Sequence, residues 1–115
     1  MSKLARLIAK EEGFGIPGAI PTTHHNPGDL RHSPHSSHDP GAPNAIGKID
    51  SDPDGWADLE RQLRLFASRG ITLRQMIVDY YAPASENNPY GYLHDICAGL
   101  PAPDSMLVSE ALKIV

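Results

Sequence analysis

A single cysteine, Cys97, excludes any internal disulfide and leaves the redox compartment open. There is no block of lysine and arginine and the formal net charge is -4, so nucleic acid is not an expected partner. No apolar run approaches the roughly 20 residues that span a bilayer. The N-terminus interleaves Lys3, Arg6 and Lys10 with Leu and Ala, and so lacks the unbroken apolar core of a secretory signal. A phosphate-cradling glycine loop, a hydrolase nucleophile elbow and an internal repeat are missing too. What is present is a chain of 115 residues, 40% of them hydrophobic. That suffices for one small domain over residues 1–115 with one core, expected to be a monomer.

Proline and glycine divide the chain. Residues 2–12 predict an amphipathic helix, with Leu4, Leu7, Ile8 and Glu11 on one face and Lys3, Arg6 and Lys10 on the other. Gly13 suits a left-handed closing residue, and Phe14 can fold back on the last turn. From Gly15 to Asp54 the chain carries seven prolines, which argues against any helix and predicts a long ordered loop. The alternation in Ala45–Asp50 is compatible with a short β-hairpin inside it. Loops of this length in a small domain tend to be functional.

The clearest helix is expected over 53–69, capped by Ser51 or Asp52 and closed by Gly70. Trp56, Leu59, Leu63 and Phe66 form its core stripe, with Trp56 read as core rather than as a sugar platform, while Asp54 and Asp58 suit the positive end of its dipole. Thr72 to Gln75 has the spacing of a capping box. The helix it opens should carry Leu73, Met76, Ile77 and Tyr80 on one face and stop at Pro83. A helix with Tyr92, Leu93 and Ile96 ends at Gly99. The last, capped by Asp104 or Ser105, should bury Leu107, Val108, Ala111 and Leu112. The fold class is therefore mainly α, short helices around one long Pro/Gly-rich loop.

The chemistry starts at the end of the first helix. A carboxylate there, Glu11 or Glu12, faces the negative end of the helix dipole, and apolar neighbours would desolvate it. Both effects favour the protonated form, as a general acid requires. The helix wheel does not choose between the two. His24, His25, His32, His35 and His38 invite a metal reading, but their spacing matches no usual ligand pattern and no cysteine accompanies them, so no metal is assigned. Cys97 and His94, three residues apart, sit on a helix that otherwise reads as core. The stronger constellation is rich in acids and amides: Glu11 or Glu12, then His25-Asn26-Pro27-Gly28-Asp29-Leu30-Arg31, then Ser85-Glu86-Asn87-Asn88, with Tyr81 and Tyr90 beside them. Planar amides, carboxylates and aromatic faces bind sugars, and a protonated carboxyl among them is what glycosidic cleavage needs.

The order Glu12-Gly13-Phe14, Asn26-Pro27-Gly28-Asp29-Leu30-Arg31, Asp54-Gly55-Trp56-Ala57-Asp58-Leu59, Tyr81-Ala82-Pro83-Ala84-Ser85-Glu86-Asn87-Asn88 resembles phage and prophage muralytic domains. These belong to the lysozyme-like superfamily, beside lytic transglycosylases and goose-type lysozymes, and the resemblance spans roughly residues 4–100. It implies a small lysozyme-like domain that cuts the β-1,4 bond between N-acetylmuramic acid and N-acetylglucosamine in peptidoglycan strands, without a cofactor. Glu12, directly before Gly-Phe, is the implied catalytic residue. Asn26 and Asp29 would line the groove opposite the helix, and Tyr81, Glu86 and Asn87 its other wall. His25 and Asp29 stand where such domains commonly carry Asn, and Asp29 is then a candidate second carboxylate.

Two alternatives accompany this expectation. One is a non-catalytic glycan-binding or structural protein of a virion or secretion apparatus. The other is a metal-dependent amidase or peptidase using the histidine loop. Without a secretion signal, the expected route is synthesis in the cytoplasm followed by action at the cell wall after release, or carriage on a virion.

Overall fold

Ser2 accepts a hydrogen bond from the Ala5 N–H at 3.1 Å and starts helix α1, Lys3–Glu12. The helix ends as its sequence dictates. Gly13 has φ +90°, its N–H reaches the Lys10 carbonyl at 3.1 Å, and the Phe14 N–H reaches Ala9 at 2.9 Å. These two bonds form a Schellman closure and satisfy carbonyls the helix leaves orphaned. A β-branched residue strongly disfavours that backbone conformation, so Gly13→Val is expected to lower stability by about 1–2 kcal/mol. Chemical denaturation measures this, and an unchanged midpoint would contradict the left-handed closure.

The computed structural model describes residues 1–81 and 88–115. The remaining helices are α2, Ile20–Thr23; α3, Asp52–Ser68; α4, Leu73–Gln75; α5, Pro89–Gly99; and α6, Val108–Ala111. Helix α4 runs directly into a π-helical segment, Met76–Tyr81. Helix accounts for about 50% of the chain, and the described residues contain no strand, so the fold is mainly α. None of the described helices is long and apolar enough to cross a membrane.

The core gathers one stripe from each long helix: Leu4 and Ile8 of α1, Leu59, Leu63 and Phe66 of α3, Leu93 and Ile96 of α5. Leu73, Met76 and Ile77 fill one end, with Val108 and Ala111 of α6 against α3. These residues sit at helical spacing, and burying them is what holds the short helices together. Ser51 caps α3 as expected, and the capping box at Thr72 and Gln75 closes in both directions, at 3.2 and 2.9 Å.

Four expectations are corrected. Helix α2 forms in the proline-rich stretch because Pro21 falls in its first turn, where the missing N–H has no helical partner to lose. The Ala45–Asp50 hairpin does not form; Lys48 instead makes an isolated antiparallel bridge to Ser37. Helix α6 has no side-chain cap from Asp104 or Ser105, and Leu107 precedes it, 41% exposed. Tyr80 also points out rather than in. The π register bonds residues five apart, so Tyr81 and not Tyr80 follows Met76 toward the core. The expected stop at Pro83 lies outside the described residues.

Candidate functional site

Glu12 is the last residue of α1, and the Gly13 turn holds it at the helix end, half-buried. Its Oε1 accepts a hydrogen bond at 2.9 Å from the Tyr92 hydroxyl of α5, 80 residues away in sequence. Tyr92 is buried among core residues, and its ring lies 6.2 Å from that of Tyr81. The Tyr81 hydroxyl in turn donates to the Gly28 carbonyl at 2.7 Å. Burial first, and then the nearby charges of Glu12 and Asp29, push the Tyr81 phenol well above its ordinary range. Burial, with Tyr81 and Glu12, does the same to Tyr92. Both phenols therefore stay protonated as hydrogen-bond donors, Tyr92 to the Glu12 carboxylate and Tyr81 to the Gly28 carbonyl. The structure thus brings together three expected residues, Glu12, Asp29 and Tyr81. The bond from Tyr92 to Glu12 was not anticipated: beside Leu93 and Ile96 this tyrosine reads as a core or rim aromatic, and nothing local signals a partner so far along the chain.

Glu11 is different. It is exposed, and its carboxyl is pushed above the usual range by partial burial, then by a hydrogen bond and charge repulsion with Asp95. A raised pKa alone therefore does not mark the acid. The hydrogen bond from the buried Tyr92 hydroxyl distinguishes Glu12.

The loop opposite is built around Asn26. This side chain is 0% exposed; its Nδ2 donates to Leu30 and Gly47 carbonyls at 2.8 and 2.9 Å, and its Oδ1 accepts from the Leu30 N–H at 3.0 Å. Both of its N–H donors and its oxygen are engaged within the loop, so it holds the loop in shape. His25 and Asp29 are the described non-glycine residues with positive φ, 51° and 52°. Asn, Asp and His are the residues most tolerant of that conformation. The residue types at these two positions thus have a backbone reason beside any chemical one.

A second set of contacts pins the loop to α3. Asp58, 2% exposed, accepts from the Ser33 hydroxyl at 2.5 Å, the His35 N–H at 2.9 Å and the His35 ring at 2.6 Å. His25 pairs with Asp52 at 2.7 Å nearer the helix start. Asp58, expected to serve the helix dipole, is instead the buried anchor of the loop.

The hydrogen bond to Asp58, and then its charge, raise the His35 pKa. Burial pushes Asp58 up, but the bonds from Ser33 and His35 outweigh it and hold the carboxyl below its ordinary value. The Asp58 contribution to stability is present above the ordinary value of 3.8 and is lost as pH falls through its lowered pKa. The His35 contribution is present below 6.5 and is lost as pH rises through its raised pKa. Melting temperature should therefore fall as pH rises above 6.5 and through the raised His35 pKa, and His35→Gln should flatten that slope. An equal slope in the variant would remove His35 as its source.

No family model, curated protein or solved structure matches this chain.

The other candidates divide as follows. Glu86 and Asn87 lie outside the described residues. Among the described residues no three of His, Cys, Asp and Glu come together as metal ligands. His25 and His35 engage carboxylates, while His38 donates to the Arg31 carbonyl and lies 4.7 Å from the His32 ring. Burial and then Asp104 raise the Cys97 thiol, which disfavours the thiolate a nucleophile needs.

Proposed function

We propose that this chain cleaves peptidoglycan at the β-1,4 bond between N-acetylmuramic acid and N-acetylglucosamine, as a muramidase or lytic transglycosylase. The observation that carries the reading is the Glu12 carboxyl at the end of α1, held by the Tyr92 hydroxyl. Protonated Glu12 gives its proton to the glycosidic oxygen as the bond to the anomeric carbon breaks and positive charge spreads into the sugar ring. As a carboxylate it then takes a proton from the incoming nucleophile. If that is the 6-hydroxyl of the same muramyl ring, a 1,6-anhydro sugar forms and one carboxyl serves both steps. If it is water, a reducing end forms, and Asp29 is the second carboxylate at hand. Tyr92 fixes the orientation of the acid, and Tyr81 joins it to the loop through Gly28. On this reading the partner is the glycan strand, reached after release from the cytoplasm or from a virion.

Mass spectrometry of the soluble products from purified peptidoglycan tests this directly. Anhydro-muropeptides are the expected product of the one-carboxyl route and reducing-end muramyl products of the two-carboxyl route. A folded protein that releases neither would replace the enzyme with a glycan-binding protein.

A further inference from the structure

Helix α1 carries the candidate acid at one end and a cavity at the other. Its ten residues, at 1.5 Å each, put about 15 Å between that cavity and Glu12, so the two are separate places on the surface. The cavity has a volume of about 680 Å³, within the range of ligand sites. Arg6 of α1 and Arg64 of α3 supply its charge, and Leu112 and Ile114, with Met1 and Val115, its apolar wall. Ser2 and Glu60 complete it, and the Ser2 N–H donates to Glu60 Oε1 at 2.6 Å, which ties the start of α1 to α3.

Both guanidiniums are exposed, and among the described residues neither meets a carboxylate; that of Arg6 donates to the Met1 carbonyl at 3.4 Å. Two other arginines are engaged within the fold. Arg69 lies over the Phe66 and Tyr80 rings, and Arg74 lies over Tyr90 and 3.5 Å from Asp104. In a chain with 14 acidic and 10 basic residues, two unpaired arginines at one cavity reverse the overall sign of charge locally. Each guanidinium presents a planar fork that fits a carboxylate through two parallel bonds. Glu60 adds the opposite requirement: its second oxygen has no partner among the described residues and can accept an N–H.

We propose that this cavity docks an acidic peptide segment of a partner protein. Its carboxylates would sit in the forks of Arg6 and Arg64, a backbone N–H on Glu60, and an apolar side chain against Leu112 and Ile114. A peptide brings all three groups within a few residues. An anionic lipid surface suits the site less: it is flat where the cavity is concave, and it brings like charge to Glu60. A partner held here leaves Glu12 uncovered, at the far end of α1. The proposal stands whether or not the chain cleaves glycan.

The test is titration of the full chain with the end-blocked pentapeptide Leu-Glu-Leu-Asp-Leu, followed by amide and arginine side-chain NMR. Saturable shifts should centre on Arg6, Arg64, Leu112 and Ile114, and affinity should fall as salt is raised. Arg6→Ala and Arg64→Ala should each weaken binding roughly three- to tenfold. Arg64→Lys keeps the charge but loses the fork, and should recover only part of that loss. Peptides with Lys at both acidic positions, or Ser in place of every Leu, should not compete. Both arginines are exposed, so the variants should melt with the parent. Absence of saturable shifts, shifts centred elsewhere, or affinity indifferent to both arginines overturns the site. Phosphatidylglycerol vesicles that bind through Arg6 and Arg64 where the peptide does not would overturn the peptide in favour of a lipid surface. Fragment release from peptidoglycan by the two Ala variants should equal that of the parent, so loss of docking and loss of cleavage are read separately.

Discussion

Glu12→Gln should abolish glycan cleavage while leaving the protein folded. The carboxylate and the amide have nearly the same shape, and the Gln oxygen still accepts the 2.9 Å hydrogen bond from Tyr92. What disappears is the proton that the departing glycosidic oxygen needs, and the base that follows. General acid–base assistance contributes about 10²–10⁴-fold to a rate, and here one group serves in both steps, so turnover should fall to the upper end of that range or below detection. Glu11→Gln is the control. Its side chain is exposed and hydrogen-bonds Asp95, while the Tyr92 hydroxyl donates to Glu12, so activity should remain within about twofold. Fragment release from peptidoglycan measures both variants, with a thermal melt to establish that each is folded. Activity kept by Glu12→Gln and lost by Glu11→Gln would move the assignment by one residue. Loss in neither would remove the helix-end acid altogether.

The parts of this molecule legible from sequence are those decided within one turn of chain. Ser2, Gly13, Ser51 and the Thr72–Gln75 box fix where helices begin and end, because caps are local hydrogen bonds. Leu59, Leu63 and Phe66 declare a buried face by their spacing alone. The failures come where that locality breaks down. The spacing of Met76 and Tyr80 points both inward only if the helix is α throughout, and the π segment exchanges Tyr80 for Tyr81. Asp58 looks like a dipole partner because its position near the start of α3 is visible, whereas Ser33 and His35, which bury it, are more than twenty residues away. Asn26 reads as a groove-lining amide, and the bonds by which it holds Leu30 and Gly47 together, the latter 21 residues on, are not visible in the sequence. The candidate site follows the same division. Glu12, the candidate acid, sits at a readable helix end, but its bond from Tyr92 is a contact only tertiary packing creates.

Gly55→Ala is expected to cost the fold more than any other single methyl argued here, against the direction helix propensity alone would give. Gly55 lies in the first turns of α3, where replacing glycine by alanine would ordinarily stabilise by about 1 kcal/mol. Here the added Cβ would stand 2.0 Å from the His25 carbonyl oxygen, 2.7 Å from Pro27 Cδ and 3.1 Å from the His25 carbonyl carbon. Those are backbone and ring atoms of the loop, not the ends of flexible side chains, so the loop as a whole must move. Overpacking of this kind costs about 1–3 kcal/mol and occasionally more, and a 2.0 Å approach to backbone belongs at the top of that range or above it. The net loss should be about 2–3 kcal/mol, a fall in melting temperature on the order of 10–20 °C. Displacement of His25 and Pro27 would also shift their neighbour Gly28, the acceptor of the Tyr81 hydroxyl, so glycan cleavage should weaken even where the variant is still folded. Thermal melts and fragment release read the two effects separately. A Gly55→Ala protein as stable as the parent would mean that α3 and the 25–29 loop do not meet here, and the docking that positions Asp29 and Tyr81 would have to be abandoned with it.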